Sequence, residues 1–197
     1  MSQSATARQA VVSFESEQLV LVDDQDQELG FASKADCHDG DGILHRAFSL
    51  FIFNSQGELL LQQRSAQKRL WPLYWSNSCC SHPRAGEQLT EAVDRRLAQE
   101  LGMSSELSFV YKFQYQAQFR DLGSEHELCS VFLGRATDDV QANVNEVAAW
   151  RYISPADLDA EMAADTDDRF TPWFEMEWQR LKTQYADLLA SYTRPLD

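Results

Sequence analysis

The 197-residue sequence predicts a single α/β (α+β) domain, a mixed sheet flanked by helices. Three observations carry that expectation. Short apolar runs bounded by polar turns recur over residues 11–64 and 107–154. Residues 88–101 carry a strong helical period. Strands and helices interleave without a strict βαβ rhythm, and neither an internal repeat nor a low-complexity linker divides the chain. With 44% hydrophobic residues, 8 Gly and 5 Pro, the chain has an ordinary globular composition. At this length it buries roughly 70% of its unfolded surface and needs no disulfide or metal to hold a core.

Taken in order, residues 11–22 (VVSFESEQLVLV) read as a strand, and residues 21–30 carry its end into an acidic turn. Residues 35–46 (ADCHDGDGILHR) hold two glycines and three aspartates and read as a loop. Residues 47–64 place two apolar runs around Asn-Ser-Gln-Gly, a hairpin signal. In the helix 88–101, Leu89, Val93, Leu97 and Leu101 recur on one face, and Gly102 supplies the stop. Residues 107–118 and 127–134 read as strands around RDLGSEH, and 147–154 as another. Ser154-Pro155 opens a helix. Thr171-Pro172 opens a long terminal one, with an apolar stripe of Phe174, Trp178, Leu181, Tyr185 and Leu188.

Charge and composition exclude several functions. No apolar run reaches the roughly 18 residues of a membrane span. The polar start MSQSATARQ lacks the apolar core of a secretory signal. Four cysteines without such a signal point to a reducing compartment, so a cytoplasmic protein with free thiols is expected. A net charge of −14 argues against nucleic acid. The basic residues nevertheless cluster: Arg64, Lys68 and Arg69 precede the segment NSCCSHP (Asn77–Pro83), and Arg95 and Arg96 follow it. On an acidic protein that clustering suggests a small anionic ligand.

Of four histidines, His38, His45 and His82 lie in motif-like settings. Glu125 and Glu127 flank His126, so on a strand the two carboxylates share a face and His126 points away. Three imidazoles with two carboxylates suit a divalent transition metal. Arg96 and Glu100 share a helical face, either as a surface ion pair or with Glu100 turned inward to hold a hard cation such as Mg²⁺.

Ser81, Glu87, Arg95, Arg96, Leu97, Gln99, Glu100 and Gly102 fall at the spacings of a degenerate Nudix box, so the chain resembles that superfamily and a Nudix-like mixed sheet is implied. Ser81 stands for the family's Gly, Arg96 for a Glu and Gln99 for a metal-binding Glu. The carboxylate cluster a pyrophosphohydrolase needs is therefore incomplete. These departures match one branch. The chain closely resembles type I isopentenyl-diphosphate Δ-isomerases in H-x6-H-x-A-F (His38–Phe48), R-S-A-x-K (Arg64–Lys68), W-P-x-x-W-x-N-S-x-C-x-H-P (Trp71–Pro83), R-R-L-A-Q-E-L-G, E-x-E-x-C (Glu125–Cys129) and T-P-W-F (Thr171–Phe174).

The resemblance implies conversion of isopentenyl to dimethylallyl diphosphate by protonation and deprotonation, within isoprenoid biosynthesis. It assigns Cys80 and Glu127 to opposite faces of the substrate, Tyr115 to support of the acid, and Trp173 to stabilisation of a carbocation. It brings Lys34, Arg64, Lys68, Ser81 and Arg96 to the diphosphate, with Mg²⁺ carried by Glu100. It places Mn²⁺, Mg²⁺ or Zn²⁺ on His38, His45, His82, Glu125 and Glu127. Cys37, Cys79 and Cys129 are expected to pack. The partner is a small diphosphate, with neither nucleic acid nor membrane, and the protein a monomer. Residues 1–15 are an extension, either flexible or closing over the site. A zinc-dependent binding module built on Cys37, His38, Cys79 or Cys80, and His82 is the alternative from another class, and it leaves Glu125, Glu127, Trp173 and the basic cluster without a purpose.

Overall fold

The computed structural model describes residues 9–196. Nine strands form one mixed sheet: β1 (Gln18–Val22), β2 (Glu28–Ser33), β3 (His45–Phe53), β4 (Leu59–Arg64), β5 (Trp75–Ser76), β6 (Cys79–Ser81), β7 (Leu107–Phe119), β8 (Gly123–Arg135) and β9 (Val147–Ile153). The helices of the described residues are α1 (Lys34–Cys37), α2 (Leu89–Leu101), α3 (Pro155–Ala164), α4 (Pro172–Gln184) and α5 (Ala186–Thr193). None is long and apolar enough to cross a membrane.

β3 is the axis of the sheet. One edge runs parallel to β8 along its whole length, from His45↔Glu127 to Phe53↔Arg135. The other edge is shared in turn by β1 at His45, β6 at Phe48–Leu50 and β4 at Phe53. A strand covered on both faces has to be largely apolar, and AFSLFIF is, apart from the buried Ser49. Ala47, Phe51 and Phe53 face Trp173, Phe174, Trp178 and Leu181 of α4. Phe48, Leu50 and Ile52 face Ala92, Val93, Leu97 and Leu101 of α2.

α2 follows its predicted period. Gln88 and Glu91 form a capping box at its start, and Gly102 at φ 64 closes it, donating its N–H to Ala98 O at 3.0 Å. Leu97 is fully buried in the second core, so Leu97→Ala should cost about 3 kcal/mol, read as a lowered urea midpoint at unchanged slope.

The structure departs from the sequence expectations in five places. Residues 11–17 are not strand. They lack a sheet partner and are held instead through Val12 O, which accepts from Arg96 at 3.0 Å and Arg84 at 3.3 Å. The loop over 35–46 contains the short helix α1, capped by Ser33 Oγ accepting from Asp36 N at 3.1 Å. The β3–β4 turn forms, but the strands pair only at Phe53↔Leu59 and then diverge as β6 takes the edge of β3. β8 begins at Gly123 rather than residue 127. A Cβ there would lie 2.2 Å from His38 O, and the φ of +146 favours glycine, so this residue brings β8 against the His38 loop. The terminal helix breaks at Tyr185, whose ring stacks on Tyr111 at 5.0 Å, and the buried stripe then shifts from Leu188 to Leu189. Of the extension over residues 1–15, residues 1–8 lie outside the described residues.

Candidate active site

Three imidazoles meet where α1, β3 and β6 converge. His38 caps the C-terminus of α1, His45 opens β3 and His82 follows β6, with ring centroids 4.8–5.2 Å apart. His38 Nδ1 donates to Lys34 O at 2.6 Å and His45 Nδ1 to Ile43 O at 2.7 Å. Each bond commits Nδ1 as the donor and turns Nε2 toward the centre. On β8, Glu125 and Glu127 point to that centre, while His126 turns away toward Gln114. His38 Nε2 lies 2.8 Å from Glu125, and His82 Nε2 2.9 Å from Glu127. His45 Nε2 is buried with no hydrogen-bond partner.

The ligand atoms of all five residues lie within 4.8 Å of one another, and all five are buried. An orphaned imidazole nitrogen, two tautomers set from behind and two carboxylates fit a divalent cation bound by nitrogen and oxygen. Burial pulls His45 down to about 3 and His82 well below the usual range, so both are neutral and free to ligate. Burial also works against a charged His38, but Glu125 more than offsets it and raises the imidazole.

A cavity of about 170 Å³ opens from this centre. Its wall contains Lys34, His38, Arg64, Lys68, Cys80, Ser81, His82, Arg96, Tyr115, Glu125, Glu127 and Trp173. Cys80 and Glu127 rise from β6 and β8, which flank β3, and their partners Ser49 and His45 lie on one face of β3. Strands two apart are about 10 Å apart in the sheet, so a small organic group can lie between the two side chains. Burial raises the Cys80 thiol to about 12, against the pull of Arg64, so it is a protonated acid at neutral pH. Burial and then the neighbouring Glu125 push Glu127 up, and its Oε2 accepts from Tyr115 at 2.7 Å. Trp173 packs edge-on to Trp71 at 5.2 Å and carries the Arg64 guanidinium 5.2 Å from its ring centroid.

The same cavity carries a set of cations, Lys34, Arg64, Lys68 and Arg96. Burial, with Lys68 and Arg96 close by, lowers the pKa of Lys34, which signals cations waiting for an anion. Glu100 does not line this cavity. It is buried behind Arg96, with one carboxylate oxygen against that guanidinium and the other accepting from Gln62 at 3.3 Å. In this arrangement it orients Arg96 rather than facing a cation in the cavity.

Glu146 is a wall carboxylate that pairs with these cations, and no sequence pattern points to it. It pairs with Lys68 and lies 3.3 Å from Arg96, and although burial opposes this, the two cations hold its pKa at about 2. A lone acid before a strand gives no pattern. The only available signal was the excess of cations needing a partner. Residues 9–15 also cross the mouth: Val11, Ser13 and Glu15 line it, and Lys34 Nζ donates to Ser13 Oγ at 2.6 Å. Cys37, Cys79 and Cys129 are buried and free, and Cys79 packs in the α2 core.

Residues 43–174 match the NUDIX domain family. The chain is 44% identical over 175 residues to isopentenyl-diphosphate Delta-isomerase 1 of Photorhabdus laumondii, covering 88% of this chain and 99% of that protein. It is 44% identical to the isopentenyl-diphosphate Delta-isomerase of Burkholderia multivorans, over 83% of this chain and 92% of the relative. A solved structure from Deinococcus radiodurans superposes with a TM-score of 0.64 at 22% identity, covering 90% of this chain and all of that one, a likeness of fold. A Nudix sheet that carries a partly buried thiol and a buried carboxylate on strands flanking β3, with relatives of this identity along nearly their whole length, assigns the family: the chain belongs to the isopentenyl-diphosphate Delta-isomerases of the NUDIX domain family.

Proposed function

We propose that this protein moves the double bond of isopentenyl diphosphate by one carbon, giving dimethylallyl diphosphate for isoprenoid biosynthesis, and that Cys80 and Glu127 are its acid–base pair. The observation that carries the reading is a partly buried thiol and a buried carboxylate on strands flanking β3, in a cavity that is also lined by Lys34, Lys68 and Arg96. One group adds a proton to the terminal methylene while the other removes one from the carbon beside the oxygen-bearing carbon. The reverse reaction exchanges their roles. The tertiary cation between these steps has to be kept from water. Leu70, Tyr115 and Trp173, all buried, provide apolar wall there.

Arg64, Lys68, Lys34, Ser81 and Arg96 bind the diphosphate and so fix the alkene between the two reacting groups. Tyr115 holds the carboxyl of Glu127 in place through its hydroxyl. His38, His45, His82, Glu125 and Glu127 would hold Mn²⁺, Mg²⁺ or Zn²⁺, which as a Lewis acid supplies positive charge that favours the ionised carboxylates. Four free cysteines agree with a reducing, cytoplasmic setting.

The test is turnover of isopentenyl diphosphate in deuterated water with Mg²⁺, followed by NMR. Dimethylallyl diphosphate carrying deuterium is expected, and release of phosphate or pyrophosphate without rearrangement would sink the assignment. Chelation should abolish this turnover and leave the circular dichroism spectrum unchanged, because the two cores do not depend on the metal centre. A structural metal module would unfold instead.

A further inference from the structure

Glu177 has no part in the reading above, yet it is fully buried on α4, one turn beyond Trp173. Its Oε1 lies 3.5 Å from Cys129 Sγ, and its Oε2 has no hydrogen-bond partner. Among the described residues no Lys, Arg or His pairs with it. A carboxylate with no cation and an empty lone pair is unstable as an anion in such surroundings, so it keeps its proton. Burial pushes it up to about 8, against weaker opposition from Ser49 and Cys129.

Its position links it to the reaction. Ser49 lies opposite Cys80 in the β3–β6 register, and Cys129 lies opposite Ala47 in the β3–β8 register. Cys129 Sγ is also 3.5 Å from Ser49 Oγ. A buried chain of Glu177, Cys129 and Ser49 therefore ends beside Cys80, on the sheet face that carries Glu127.

We infer that Glu177 is a positioning residue for the isomerisation: as a neutral carboxylic acid it completes the Cys129–Ser49 support behind Cys80, and its ionisation sets an uncompensated negative charge close to both reacting groups. This inference rests on the acid–base roles proposed above for Cys80 and Glu127. A negative Glu177 raises the pKa of both. It thereby opposes the step in which either one gives up a proton.

The titratable groups around Glu177 are few. β8 contributes Cys129 and Glu127, and β6 contributes Cys80. β7 contributes Tyr111, whose hydroxyl donates to the Glu177 backbone carbonyl at 3.3 Å. β3 offers only the non-titrating Ser49. Arg180 of α4 lies over the Tyr111 ring at 4.9 Å, and Tyr185 at the α4–α5 junction stacks on the same ring at 5.0 Å. Burial lifts Cys129, Cys80 and Tyr111 far above neutrality and pushes Glu127 up as well, so the comparison with a variant that cannot ionise at 177 is what isolates Glu177, raised to about 8.

The test is the pH profile of kcat for the metal-loaded enzyme, wild type against Glu177→Gln. Wild-type kcat should fall about tenfold or more as pH rises through about 8, the effect of one pKa unit on a reacting group. The amide cannot ionise, so E177Q should keep kcat at neutral pH within about threefold of wild type and lack that alkaline limb. An E177Q profile with the wild-type limb, or a wild type without one, overturns the proposal. If E177Q does not fold, an infrared titration of the wild type decides: a protonated-carboxyl carbonyl band that bleaches with a midpoint near 8 supports the proposal, and its absence at neutral pH overturns it. A wild type that forms no dimethylallyl diphosphate at any pH fails the functional reading instead, and the infrared result stays separate from that failure.

Discussion

Cys80→Ala is expected to lower kcat by about 10³-fold or more, with KM for isopentenyl diphosphate changed only a few-fold. The thiol is held as an acid by burial, its pKa raised to about 12, and it lines the cavity. Removing it deletes a proton transfer without touching Lys34, Lys68 or Arg96, so binding and chemistry should separate. Cys80→Ser keeps the volume and a hydroxyl but is a poorer acid, and its loss should approach that of alanine. The neighbouring Cys79 is a control. It is fully buried against α2, so Cys79→Ser should lower stability and leave kcat of the folded protein close to wild type. Steady-state kinetics with matched urea titrations separate these outcomes. A Cys80→Ala kcat within tenfold of wild type would remove the thiol from the mechanism.

How much of this arrangement could be read from the sequence depends on whether a feature is local. The helix over 88–101 was legible because its period and its glycine stop lie within one segment, and the structure places it at Leu89–Leu101. Glu125 and Glu127 share a face, with His126 opposite, because strand alternation is a property of consecutive residues. The grouping of His38, His45 and His82 was suggested by their motif-like settings and donor chemistry and assigned by the family resemblance, since nothing local says that α1, β3 and β6 meet. Features set by distant partners were not legible. Residues 11–17 read as a strand from their apolar residues, but a strand needs an edge to pair with, and β1 from Gln18 onward takes the place beside β2. The β3–β4 hairpin was predicted from its turn, while the entry of β6 along β3 is decided some thirty residues away. Arg96 and Glu100 were correctly placed on one helical face, yet which of them would reach the cavity depends on Glu146 and Lys68 beyond the helix. Glu177 hid within an apolar stripe read as Phe174, Trp178 and Leu181, because a periodic pattern records only which positions are buried and says nothing of a buried acid between them.

Glu127→Gln is expected to be as damaging as Cys80→Ala, about 10³-fold in kcat, and for a reason that can be told apart. Glu127 has two duties in the geometry. Its Oε1 lies 2.9 Å from His82 within the five-residue cluster, and its Oε2 accepts from Tyr115 at 2.7 Å on the cavity side. The amide removes the proton-accepting oxygen and also weakens the donor set for a cation. Metal content at limiting metal should therefore fall with activity, whereas saturating metal should restore occupancy without restoring kcat. Tyr115→Phe isolates the second duty. It deletes one hydrogen bond to Glu127 and leaves the five ligand atoms in place, so kcat should drop by only about 10- to 100-fold at unchanged metal content, the scale of a lost hydrogen bond to a charged group. In the double variant the Tyr115→Phe effect should vanish, because the hydroxyl acts through the carboxyl of Glu127 and has nothing to position once that oxygen is replaced. Additive losses in that cycle would mean that Tyr115 touches the substrate directly, and restoration of kcat to Glu127→Gln by excess metal would reduce Glu127 to a ligand and leave the cavity without its base.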